Sequence, residues 1–279
     1  MGIEYLSGIV PGGKIDLTQF ESKKKMPSPE IYLSDLKIKL NNLSNRLNNE
    51  YEAFLDKNGQ VEMIGDDEDA CRTLISNKES LWANDSGLTK EAMLVNREKN
   101  PANIAEIATT LLFDKVLSED FIIVRASTYD DYENGADQLI IDKETGAVIC
   151  GLDDAILGES VKDTGEKKAL KIDKKMKSGG AQIKFGLTVN NGALERKNLS
   201  HIPIFYFNLN KSEMNMILKS LSSNISAVST DEQRVYNQLI NSLLSQASEY
   251  EKKDELHPKL KDNLKNFTPS LIKMQNHII

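Results

Sequence analysis

A chain of 279 residues with 39% apolar content can bury one large core and needs no disulfide or metal staple to fold. Its 28% charged residues and formal net charge of −7 argue against coating nucleic acid by bulk charge, leaving only a localised site open. The two cysteines, Cys71 and Cys150, lack CxxC spacing, which excludes a zinc knuckle and a disulfide framework and points to a reducing compartment.

The opening MGIEYLSGIVPGGK has no basic region ahead of an apolar stretch, and no run reaches the roughly 18 apolar residues of a membrane helix. A cytoplasmic protein without membrane association is the expectation. Residues 1–28, rich in glycine and without periodicity, read as a loosely packed arm. From Ser28-Pro29 onward, Leu33, Leu36, Leu40, Leu43 and Leu47 recur at spacings of three and four, which predicts one long amphipathic helix. Packing of that stripe on the domain core is the simpler outcome, and a homodimer through the helix at 30–55 is the alternative. Asp56-Lys57-Asn58-Gly59 reads as a turn, and weakly patterned polar sequence follows to about residue 100, with Trp82 expected to plug the core.

Residues 102–117 place Ile104, Ile107, Ala108, Leu111, Leu112 and Val116 on one helical face. The apolar runs 121–127, 137–142 and 147–153 predict three strands, the last two joined by a hairpin turn at Lys143-Glu144-Thr145-Gly146. A basic helix over 165–180 closes on Gly179-Gly180, and strands follow at 181–187 and 202–209. Helices are predicted near 211–223 and 230–250, the second opened by Thr230 and Gln233 at capping-box spacing, before a polar end with Pro258 and Pro269. With no internal repeat, this is one α/β domain over 1–279, with a helical extension at 28–60, a core at 100–210 and C-terminal helices at 211–279.

Between Asp130 and Asp154 stand eight acids (Asp130, Asp131, Glu133, Asp137, Asp142, Glu144, Asp153, Asp154) against Lys143 alone, a local charge of −7. The hairpin reading brings Asp137 and Asp153 to the same end of the sheet, where two carboxylates repel unless a cation or proton joins them. From Lys162 to Lys184 the balance reverses, with eight lysines against three acids. Lys168, Lys171 and Lys175 fall on one face of the basic helix, suited to a phosphate-bearing substrate whose metal sits on the acids. Asp130-Asp131 and Asn134-Gly135 read equally as a solvated loop and turn, and Glu106 as an exposed helix former. Arg125, ending an apolar strand near these acids, is expected to pair with one of them. The three scattered histidines exclude a zinc site and a nucleophile triad, and neither GxGxxG nor GxxxxGK[ST] occurs.

The order helix, three strands, helix, strands, with an acid at each end of the central hairpin, resembles the PD-(D/E)XK nuclease-like core over roughly residues 100–210. That resemblance implies a restriction-endonuclease-like fold, a magnesium (or manganese) cofactor and hydrolysis of nucleic acid. It assigns Glu106 as the helical acid and Asp137 and Asp153 as the metal-holding acids. Two residues after Asp153 stands Ala155 where the family carries lysine. The lysine is then expected from the following helix, as Lys168 or Lys171, with Arg125, Asp130 and Asp131 nearby. The run from Arg125 to Asp137, with Gly179-Gly180, is also similar to a group of uncharacterised bacterial proteins, which implies no activity. The two functional expectations are a metal-dependent phosphodiesterase and a catalytically inactive binding or scaffold module of the same fold.

Overall fold

A computed structural model of the chain describes residues 28–157, 161–223 and 226–277, and the arm expected over 1–28 lies outside them but for Ser28. A 3₁₀ turn at Pro29–Tyr32 leads into α1 (Leu33–Tyr51), whose leucines 33, 36, 40, 43 and 47 are all buried. The stripe packs on the chain's own core, the simpler of the two outcomes, so those leucines are not available as the seam of the alternative homodimer.

The stretch read as weakly patterned folds into two helices, α2 (Glu68–Asp85) and α3 (Lys90–Glu98). The first buries only Cys71, Ile75 and Ala83, a stripe too thin to stand out in a polar sequence. Next, α4 (Pro101–Leu117) starts on an Asn100 side chain that accepts the Ala102 amide, with Pro101 in the first turn where its missing N–H costs nothing. Every residue from Ile104 to Phe113 is buried, because this helix lies under the sheet rather than beside it.

Strands β1 (Phe121–Arg125), β2 (Gln138–Asp142) and β3 (Val148–Leu157) follow, with a π-helical turn at Asp130–Asn134 between the first two. The chain continues through α5 (Val161–Lys177), β4 (Ala181–Asn190), β5 (Ala193–Ile202) and β6 (Ile204–Asn210). It ends in α6 (Lys211–Leu221), α7 (Thr230–Glu251) and α8 (Pro258–Asn276). The main sheet has the order β1-β2-β3-β6, antiparallel except for the parallel β3–β6 pair, while β4 and β5 form a separate two-stranded sheet. A parallel pair needs a crossover, and α5 with the β4–β5 hairpin supplies it. One continuous apolar core runs from Leu33 to Met274.

The expected hairpin turn is present. The Asp142 carboxylate accepts the amides of Glu144 and Thr145 at 2.9 Å each, and Gly146 adopts φ +71°. A Cβ on Gly146 would stand 2.2 Å from the Val189 carbonyl oxygen, so both the conformation and the approach of β4 require glycine there.

Three details of the fold go beyond the sequence reading. The polar segment 193–202, which carries no strand pattern, is a strand, hard to read because only Leu194 and Ile202 of it are buried. The polar C-terminal segment is a helix, with Pro258 in its first turn, Pro269 accommodated inside, and His257 capping it. The capping box of α7 sits one residue earlier, on Ser229 and Glu232. No helix among the described residues is long and apolar enough to cross a membrane.

Candidate active site

Asp137 immediately precedes β2, and its amide donates to the carbonyl of Leu152 at 2.7 Å, next to Asp153 on β3. The two acids therefore meet at one end of the β2–β3 ladder. Glu106 reaches the same cleft from α4, Asp131 from the π-helical turn, and Lys168 from α5. Four acids from four elements share a space of about 220 Å³ with Arg97, Asn103 and Lys168.

The charges are unevenly matched. Arg125 places Nε and Nη2 on the same Glu106 oxygen, at 2.8 and 2.6 Å, and its other donors hold Asn58 O and Asn103 Oδ1. This is the pairing expected for a strand arginine, and Glu106 is a buried partner rather than an exposed helix former. Burial lifts the Glu106 carboxyl above its ordinary range, and Arg125 offsets part of the lift. Asp131 is lifted for the same reason and opposed by Arg97, whose Nη2 donates to it at 2.7 Å. Asp137 is pushed well above the ordinary range, first by desolvation and then by the charges of Glu106, Asp153 and Asp131, with Lys168 pulling the other way.

Asp153 is 5% exposed. Lys168 Nζ pairs with its Oδ1, while its Oδ2 is buried and receives no hydrogen bond. A buried carboxylate oxygen without a donor costs on the order of 1–3 kcal/mol unless something else supplies positive charge.

Asp130 stands apart from this group. It is fully buried, and its two oxygens accept from Ser127 Oγ, Asn134 Nδ2 and the amides of Lys184 and Phe185 at 2.7–3.0 Å. The solvated loop read at Asp130-Asp131 is instead a packed turn tied to β4, and Gly135 ends it with φ +58°. Lys171 Nζ lies 3.0 Å from where a Gly135 Cβ would sit, and Lys175 donates to Asn134 O. The lysine face of α5 thus spans the ends of the strands, with Lys168 inside the cleft and Lys171 lining the next one. Burial and the nearby Lys171 charge lower the Lys175 ammonium below its ordinary range.

Residues outside the sequence reading also enter the site. Arg97 lies on α3, a polar helix that carries no motif, and Asn103 in the first turn of α4, ahead of its apolar residues. Trp82, expected to plug the core, is 38% exposed instead and packs its ring 4.8 Å from that of Tyr132.

Among the described residues, no three side chains of the His, Cys, Asp and Glu types form a ready-made metal cage. A magnesium-like cation needs less, since it commonly takes one or two protein carboxylates and completes its shell with water and phosphate oxygens. Asp137 and Asp153, hard oxygen donors with one buried orphan oxygen between them, fit that donor set. Comparison of the chain with protein-family models, curated proteins and solved structures returns no match.

Proposed function

We propose that this chain is a magnesium- or manganese-dependent phosphodiesterase acting on nucleic acid, with Asp137 and Asp153 holding the cation. The observation that carries the reading is the buried, donorless Oδ2 of Asp153 beside an Asp137 lifted by burial and then by three like charges. Two such carboxylates beside the single Lys168 keep a negative balance that a cation or a proton offsets. The succession α4-β1-β2-β3-α5-β6, with β6 parallel to β3, also supports a PD-(D/E)XK nuclease-like core.

A bound divalent cation would neutralise a phosphodiester and lower the pKa of a water molecule. Around it, Arg125 fixes Glu106 and Arg97 fixes Asp131, so that both acids keep their places in the wall of the cleft. Lys168, paired with Asp153, would serve for the lysine that the sequence lacks at position 155, its ammonium orienting the attacking water or the phosphate oxygen. Water adds to phosphorus, the P–O ester bond breaks, and the leaving oxygen takes up a proton.

A second reading rests on the same contacts. Glu106, Asp131 and Asp153 each already have an organic cation, as in a catalytically inactive relative that keeps the fold for binding. Incubation with plasmid, single-stranded DNA and RNA in magnesium or manganese separates the two. The first reading expects cleavage of at least one substrate, stopped by chelator and absent in Asp137→Asn and Asp153→Asn. Metal binding without any cleavage would favour the second.

A further inference from the structure

Beside the acid cleft lies a larger one of about 510 Å³, within the range of small-molecule sites, and the two share Arg97, Asn100 and Asp131. Its wall is aromatic. Trp82 of α2 leans on Tyr132 of the π-helical turn with an interplanar angle of 58°, and the Arg97 guanidinium lies 4.2 Å over the Tyr132 ring. Three contacts hold the wall still: Arg97 is anchored on Asp131, Tyr132 Oη donates to Glu79 at 3.1 Å, and Lys78 Nζ donates to the Tyr132 carbonyl at 2.9 Å. Lys171 lines the same cleft, its Nζ 3.0 Å from where a Gly135 Cβ would sit.

A core aromatic would be covered, and a solitary surface tryptophan would have neither a fixed partner nor a cleft. This one has both, together with a lysine in the same cleft. A rigid π-surface that shares its cleft with the side-chain amides of Asn96 and Asn100 and with Lys171 matches a planar heteroaromatic group that carries a phosphate. The position of the cleft adds direction, because a base seated on Trp82 would lead its phosphate past Lys171 and Asp131 into the acid cleft. Bases in a duplex are stacked on each other and cannot reach such a wall, so the occupant must be unpaired.

We infer that the cleft between Trp82, Tyr132 and Lys171 binds an unstacked base of a single-stranded nucleic acid, next to the phosphodiester-cleaving site. This deepens the proposed function, and binding measured in chelator separates the two, since no cleavage is needed. Trp82 is the only tryptophan in the chain, so its fluorescence reports on this wall alone.

Titration of the full chain with a single-stranded oligonucleotide at low salt should quench that fluorescence to saturation. A blunt duplex of the same sequence and a strand of abasic residues should bind at least tenfold more weakly. By anisotropy of a labelled strand, Trp82→Ala should weaken binding about five- to hundredfold, the loss of one base–aromatic stack, and Trp82→Phe should restore most of it. Because Trp82 is partly exposed, the variant should fold, and circular dichroism checks this. Equal affinity for strand, duplex and abasic strand, or an Ala variant that binds like the wild type, would overturn the inference even if the chain cleaves DNA. A nucleoside monophosphate that binds as tightly as the strand would also overturn it, and would assign the cleft to free nucleotides.

Discussion

Two acids of the cleft answer differently to the loss of charge. Asp137 holds its proton more tightly in the folded chain than in the unfolded one, because burial and three carboxylates disfavour its charge. Above the ordinary carboxylate range the native state therefore binds more protons than the unfolded state, and stability falls as pH rises toward the raised folded value. Asp137→Asn removes that loss. Without divalent cation at pH 8, the variant should melt roughly 2 °C higher, on the order of one relieved like-charge contact of about 1 kcal/mol. The two melting curves should converge as the pH drops below about 3, where the wild-type carboxyl is largely protonated in both states. A variant less stable than the wild type throughout would make Asp137 a structural partner. Arg125→Ala should do the opposite of Asp137→Asn. It strands a buried Glu106 without its guanidinium, and the expected loss is about 3–5 kcal/mol, the same with or without metal, as denaturant melts would measure.

At the scale of elements, Asp130 belongs to the architecture that holds the site in place. Its carboxylate fastens the π-helical turn carrying Asp131 and Tyr132 to Lys184 and Phe185 in the middle of β4. Asp130→Ala should cost about 1–3 kcal/mol from the unpaired amides. Hydrogen exchange should show the damage locally, with the Lys184 and Phe185 amides losing protection before those of β2 and β3. Uniform loss across all strands would contradict a local clamp. The same acid marks the limit of what the sequence discloses. The apolar runs of β1, β2, β3 and β6 and the turn at Gly146 are legible because buried strands read as continuous hydrophobic sequence. Asp137 and Asp153 are legible because a hairpin has to bring them to one end. Nothing local separates Asp130, a saturated clamp, from Asp131, a cleft wall one position later, since the difference is which element each faces. Likewise α2 and α3 bury few side chains, so Arg97 and Trp82 sit in sequence without a helical stripe strong enough to place them.

For the molecule as a whole, the net charge of −7 and a nucleic-acid site are compatible only if attraction is confined to a few cations at the cleft. The geometry provides three: Lys168 once phosphate displaces it from Asp153, the exposed Lys171, and Arg97 at the junction of the two clefts. The net negative charge of the rest of the chain opposes further contacts with the strand. Counterion release then limits the salt dependence, since each neutralised phosphate of a single strand contributes about −0.7 to the slope of log K against log salt. Three contacts predict a slope near −2, so affinity for a single-stranded oligonucleotide in chelator should fall roughly 15- to 20-fold between 50 and 200 mM salt. Lys171→Ala should lower the magnitude of the slope by about 0.7, because it removes one phosphate contact without disturbing the fold. Lys171 is exposed, which makes that separation clean. A slope steeper than about −5 would mean that the strand is held along the surface by many charges, and the localised cleft would not be its binding site.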